Sequence, residues 1–332
     1  EVVNRIAQSK PLTIVLIGPD HWGKARALFS TSGYESLRGA TLDTDLRETL
    51  ISEQNNVRID DELLEHEHGL TALLPFFGTA LPHTKVLPIA VSAVVSEDSV
   101  ERFVEAVHTI DPGVVFVASS DFSHYLPSSA SELHDATSIA ALRNFDLQKY
   151  KTLELDCWQC VYAATYFATL RHAENFSLIA HSDSGKILNG TGVFDETTSY
   201  VGGIFTQNEK ARGDIVTMLF FGDMMLGNYI GDLMQEDGFE YPFQKIEQFT
   251  RGVDLVFANL EGVISEKFFG EHFAFSPRII GALQRHHFTL LSLANNHAFD
   301  FGEESFEEMR EHLGAADIAA VGHTRKITEP IK

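Results

Sequence analysis

Short runs of apolar, largely β-branched residues recur along the chain, each closed by a polar or glycine-bearing corner. In the first half they are Thr13-Ile-Val-Leu-Ile-Gly18, Lys85-Val-Leu-Pro-Ile-Ala-Val91 and Val114-Val-Phe-Val-Ala-Ser-Ser120. In the second they are Thr217-Met-Leu-Phe-Phe-Gly-Asp223, Asp254-Leu-Val-Phe-Ala-Asn-Leu-Glu261 and Leu290-Leu-Ser-Leu-Ala-Asn-Asn-His297. Near-continuous apolar runs of this length suit strands buried on both faces. Between them lie segments of helical period, at 100–110, 131–145, 160–173, 241–250 and 306–313. Alternation of strand and helix predicts an α/β architecture in each half. The most polar connector, 206–214, marks a boundary, with a first domain over 1–206, a linker over 207–213 and a second domain over 214–332. The Gly-, Ser- and Thr-rich stretch 183–198 reads as a loop or hairpin region.

Length supports the division, since 332 residues exceed one domain of about 100–200 residues. The formal net charge is -22, from 25 Lys and Arg against 47 Asp and Glu. So acidic a chain is unsuited to gripping nucleic-acid phosphates, which takes clustered cations. No run of about 18 apolar residues exists, so no membrane span is expected. Two cysteines make no disulfide framework, whereas 15 histidines direct attention to metal sites.

The polar chemistry gathers where the apolar runs end, which is where open α/β sheets build their sites. In the first half, His21 sits at the tip of the corner Gly18-Pro-Asp-His-Trp-Gly23. His66 and His68 alternate with carboxylates in Glu65-His-Glu-His-Gly69, so in extended chain they share a face. Ser119-Ser-Asp-Phe-Ser-His-Tyr125 carries His124, and Cys157-Trp-Gln-Cys160 leads a helical segment. At a helix N-terminus a thiolate is stabilised. The cysteine pair reads either as a redox pair or as one working cysteine, Cys157, and one core cysteine, Cys160.

Taken in order, Gly-Pro-x-His-x-Gly, the His-rich segment with Leu73-Leu-Pro-Phe-Phe77, Ser-Ser-Asp-Phe-Ser-His-Tyr and a Cys-led helix resemble the Memo family, whose bacterial members are called AmmeMemoRadiSam system protein B. The resemblance spans residues 11–206. It implies the fold of class III extradiol dioxygenases and redox-active iron or copper held by two His and one Cys. On that basis His21 and Cys157 are metal ligands, and His68 and His124 are the catalytic candidates, His124 as the acid–base group. The family's other His ligand precedes the Gly-Pro-x-His corner in a motif that this sequence does not carry, and Trp158 stands where Gly usually follows the Cys.

The second half delivers Asp223, Asn259 with Glu261, and Asn296 with His297 and Asp300 at three successive strand ends. Such a donor set is what a hydrolytic metal site needs, where the metal acidifies a bound water and clamps a phosphoryl-like oxygen. Phe-Gly-Asp-x-Met-Leu-Gly, Phe-Ala-Asn-Leu-Glu-Gly and Ser-Leu-Ala-Asn-Asn-His-x-x-Asp-Phe-Gly resemble the CapA family of poly-γ-glutamate capsule synthesis. The resemblance spans 214–322. It implies part of a calcineurin-like metallophosphatase sheet sandwich with manganese, zinc or another divalent metal on Asp223, Glu261, Asn296 and His297. Asn228 replaces an Arg common in the family, and the family's later His ligands lie beyond Lys332.

The combined reading is therefore a two-domain α/β fusion of a metal-dependent oxidoreductase-like domain and a metallophosphatase-like domain. Its substrates are unknown small molecules, and the resemblance adds radical-SAM system partners. Memo-like proteins imply a cytoplasmic location, while the CapA-like part points toward the cell envelope. The alternative, resting on the absent ligands, is a non-catalytic binding or scaffold protein with degenerate metal sites.

Overall fold

A computed structural model describes residues 2–25, 27–207, 215–268 and 271–322. The chain divides into two compact units, Glu1–Ile215 and Val216–Lys332. The linker read at 207–213 lies, apart from Gln207, outside the described residues.

In the first unit, strands β1 (Thr13–Pro19), β2 (Phe29–Thr31), β3 (Val57–Ile59), β4 (Lys85–Val91) and β5 (Val115–Ala118) form one sheet in the order β3-β2-β4-β1-β5. β1 runs parallel to both β4 and β5, while β2 meets β4 antiparallel. Every residue of β1 is buried. Alternation decides which side each one serves. Ile14, Leu16, Val86 and Ala90 face a cluster with Leu64, Leu70, Leu74 and Phe77. Val15, Ile17, Leu87 and Ile89 face another built on Phe29, Phe103, Val104 and Phe167. The helix Glu97–Ile110 reaches that second cluster through Val100, Phe103, Val104 and Val107, one stripe at helical spacing. The helix Trp158–Leu170 packs there as well. Two covered faces explain the unbroken apolar runs.

β6 (Asn175–Asp183) and β7 (Ser199–Thr206) form a separate antiparallel pair. The region 183–198 closes it, with a short helix Ser184–Asn189 whose first turn is capped by Asp183.

In the second unit, β8 (Met218–Met224), β9 (Leu255–Leu260), β10 (Leu290–Ser292) and β11 (Ala319–Val321) make a parallel sheet in that order. Burial on β9 alternates strictly: Val256, Ala258 and Leu260 are buried while Leu255, Phe257 and Asn259 are half-exposed. Phe220 on β8 is 64% exposed. The expectation of two-sided burial therefore holds on β1 and β4 but not on β5, whose residues are all half-buried, and not here, where the described core lies on one face of the sheet. The helix expected over 241–250 is also replaced, by a 3-10 turn at Tyr241–Phe243 and a short helix Glu247–Thr250. Pro242 supplies no N–H, and only Phe243 and Thr250 are buried, too few anchors for a continuous amphipathic helix.

Candidate functional site

β1 ends at Pro19 and runs into a turn held by Asp20. Its carboxylate accepts hydrogen bonds from the Trp22 and Ala25 amides at 3.1 and 2.7 Å. Gly23, at φ 60, closes the corner in a backbone region that glycine adopts without penalty. This fixes His21 beyond the sheet's C-terminal edge.

His21 is bracketed by two carboxylates. Its Nδ1 lies 2.5 Å from Glu67 Oε1, and its Nε2 lies 3.2 Å from Asp156 Oδ2. Glu67 is fully buried and also accepts from the amides of His21 and Gly69, each at 3.0 Å. The His68 ring centroid sits 4.2 Å from that of His21. His21, Glu67 and His68 thus bring their donor atoms within 4.8 Å of one another.

The segment around these histidines is helical, which corrects the extended reading. Glu67 ends the helix Asp61–His66 and caps the helix His68–Thr71. In this geometry His66 and His68 do not share a face. His66 Nδ1 turns back to the Glu62 carbonyl at 2.8 Å, and His68 approaches His21.

A second triplet, Asp121, His124 and Asp156, also gathers its donor atoms within 4.8 Å. Asp121 and His124 follow β5, and His124 Nε2 lies 3.3 Å from Asp121 Oδ2. This hydrogen bond to Asp121 raises the His124 pKa above its ordinary value against the opposing effect of burial. Burial raises the Asp156 pKa, opposed by the hydrogen bond from Ser120. Ser120 Oγ lies 2.5 Å from Asp156 Oδ1 and accepts from the Cys157 amide at 3.3 Å. Asp156 belongs to this triplet and also contacts His21, so the two triplets meet.

Cys157 caps the helix Trp158–Leu170, as a Cys-led helix predicts, and its Sγ accepts from the Cys160 amide at 3.2 Å. It is joined to Cys160 by a disulfide. Both cysteines are buried in the core. The free Cys157 thiolate that the resemblance implies is therefore not what the structure displays. The structure thus pairs the cysteine read as working with the one read as core. Sequence reasoning passed over Glu67 and Asp156, which adjoin His68 and Cys157, and Asp121, which stands three residues before His124. Carboxylates close in sequence to these three residues were the available signal.

In the second unit a bulge between Phe220 and Asp223 shifts the register of β8, so Asp223 stands opposite Asn259. Asn259 Nδ2 donates to Asp223 Oδ1 at 2.7 Å. Asn295, not singled out by sequence, donates to Asn259 Oδ1 at 3.2 Å and to the Leu260 carbonyl at 2.8 Å. Asn295 Oδ1 accepts from the His297 amide at 3.0 Å. His297 Nδ1 lies 2.8 Å from Asp300 Oδ2, and its ring stacks on Phe273 with centroids 3.4 Å apart. Asn296 is exposed and its amide nitrogen lies 2.7 Å from His297 Nε2. Glu261 is half-buried at the end of β9, where its amide donates to the Met224 carbonyl at 3.1 Å. Among the described residues, the groups of three close His, Cys, Asp or Glu donors are the two of the first unit. Asp223, Glu261 and His297 lie along one sheet edge without forming such a group.

Residues 217–331 match the family of bacterial capsule synthesis protein PGA_cap. Residues 1–204 match the Memo-like protein family. A MEMO1 family protein of Aquifex aeolicus is 28% identical over 217 residues, covering 62% of this chain and 79% of the relative. Another from Thermoplasma acidophilum is 28% identical over 208 residues, covering 59% and 75%. A third, from Thermotoga maritima, is 26% identical over 192 residues, covering 55% and 68%. The crystal structure of an uncharacterized protein from Escherichia coli K12 aligns with a TM-score of 0.41 at 12% identity, over 59% of this chain and 90% of that one. With residues 1–204 of 332 matched, the chain belongs to the Memo-like family, and its residues 217–331 are similar to the PGA_cap capsule-synthesis family.

Proposed function

We propose that the first unit is a redox-metal module with the dioxygenase-like fold of its relatives, joined to a metal-dependent module of capsule or cell-envelope polymer synthesis. The observation that carries the reading is the meeting of the two donor triplets at His21 and Asp156. The donor set fits a transition metal. Imidazole suits iron, copper or zinc. Glu67 engages His21 Nδ1 and so leaves Nε2 as the donor, the usual outer support of a metal-bound His. His21 would hold the iron or copper together with Cys157, once reduced, as a thiolate. The metal would supply Lewis-acid and one-electron chemistry. His68 stands beside His21, with ring centroids 4.2 Å apart. His124, paired with Asp121, holds a proton to higher pH than an isolated imidazole and serves as the acid–base group.

In the second unit, Asp223, Glu261, Asn296 and His297 are proposed to take manganese, zinc or another divalent ion, with a calcineurin-like sandwich as the parent fold. Asn259 and Asn295 support Asp223 and His297. The substrates proposed are small molecules, with a radical-SAM system as partner of the first unit. The first unit belongs in a reducing, cytoplasmic setting and the second at the envelope. The alternative, a scaffold role for the second unit, is favoured by one observation: its carboxylate and imidazole donors form no close triplet among the described residues.

Metal analysis by mass spectrometry on the purified, reduced chain tests the reading. Iron or copper is expected to be lost in His21→Ala alone, and manganese or zinc in His297→Ala alone. Full retention in both variants would overturn the assignment, and metal confined to the first unit would leave the second as a scaffold.

A further inference from the structure

We infer that Cys157 and Cys160 form a redox switch that controls whether a thiolate is presented to the His21 site. The inference rests on the proposed metal reading of that site. Three observations support it. The two cysteines are joined, with Cα atoms 5.3 Å apart across one helical turn. Cys157 caps a 13-residue helix, where the helix dipole and the Cys160 amide hydrogen bond at 3.2 Å stabilise a thiolate once the bond is broken. The residue before it is Asp156, which contacts His21 Nε2 at 3.2 Å, and Ser120 ties the Asp156 carboxylate to the Cys157 amide. Cys157 therefore directly follows, in the chain, the residue that contacts His21.

The two states are exclusive. In the disulfide, Cys157 Sγ is a poor ligand and the site offers imidazole and carboxylate alone. A dithiol reductant converts it: one reductant thiolate attacks a sulfur, the Cys157–Cys160 bond breaks, and a mixed disulfide forms. The second reductant thiol then displaces the chain. Two electrons and two protons end on Cys157 and Cys160, and the reductant leaves as its own disulfide. Reduction adds a soft donor and shifts the site toward metals that favour sulfur. Both sulfurs are buried, so reduction passes through a local opening at the start of the helix.

The test uses the full chain with Co²⁺ as the probe, added anaerobically after removal of reductant. Two thiols are expected to appear on native reduction. Co²⁺ should then bind about 10–100-fold more tightly, a range taken from known losses of single supporting groups, and show a thiolate-to-cobalt charge-transfer band. Cys160→Ala should show the band without any reductant, and Cys157→Ser should never show it. No thiol released under native conditions, or equal Co²⁺ binding in both redox states with no band, would overturn the switch. If that equal binding is still lost in His21→Ala, the metal site stands while the switch falls. If no Co²⁺ binds in either state, the metal reading itself fails and the switch falls with it.

Discussion

Glu67 lies between two histidines in sequence, yet it makes more of the site than either neighbour. It is fully buried and accepts hydrogen bonds from two amides, with His21 Nδ1 also on its carboxylate. Glu67→Gln keeps the shape but turns one oxygen into a donor facing donors. We expect a stability loss of about 1–3 kcal/mol from the unmatched group, read by urea unfolding, and roughly 10–100-fold weaker metal binding because His21 is no longer oriented. A variant with unchanged affinity would remove Glu67 from the site. His124 offers a second check. Its pKa is raised in the folded chain by the Asp121 hydrogen bond. The stability this contributes is fully present below the unfolded value of about 6.5 and is lost as pH rises through the higher folded value. Asp121→Asn should bring the NMR titration midpoint of His124 down, and an unmoved midpoint would exclude Asp121 as the cause. At this scale the sequence revealed the rarer residue types. His21, His124 and Cys157 stand out by chemistry and spacing. Glu67, Asp121 and Asp156 are acids among 47, and only folding shows which of them face a histidine.

Elements were legible where burial is two-sided. β1 and β4 were read within a residue of their ends, because an unbroken apolar run has few other homes. In the second unit β8, β9 and β10 were found too and β11 was not, and the exposed face of that sheet could not be foreseen, since both kinds of strand are written in apolar residues. The least visible link joins the helix Ser128–Asn144 to the β6–β7 pair. Asp135 on that helix is buried and accepts from Ser123 Oγ at 2.9 Å and Ser199 Oγ at 2.6 Å, while His181 Nε2 lies 2.6 Å from its other oxygen. The carboxylate, not the imidazole, receives both hydroxyls, so the set fixes elements in place and is not arranged to activate a serine. Asp135→Asn is therefore expected to destabilise the first unit by about 2–4 kcal/mol, measured by urea unfolding, and to leave the metal content of the chain unchanged. A loss of metal would mean that this network also shapes the site.

For the whole molecule, the division into units has an energetic meaning. The apolar clusters of the first unit draw on residues between Val2 and Phe205, and the cluster of the second on residues between Leu219 and Ile318. Among the described residues no member is shared, so each core is expected to unfold as its own transition. Charge adds a long-range term. With a net charge of -22 the chain repels itself, but at physiological salt such forces fade beyond about 8 Å. Leu291 lies on β10 and is fully buried in the second core. Leu291→Ala should cost about 2–5 kcal/mol there. Scanning calorimetry of the full chain at physiological salt should show two transitions, with only that of the second unit lowered. The His21-dependent metal should stay bound through the lower transition. A single transition moving as one would show that the two cores fold as a cooperative whole, and metal lost with the second unit would tie the two sites together. Independent transitions would instead mean that each site stands on its own core, so that metal at His21 and metal at His297 can be titrated separately in the intact chain.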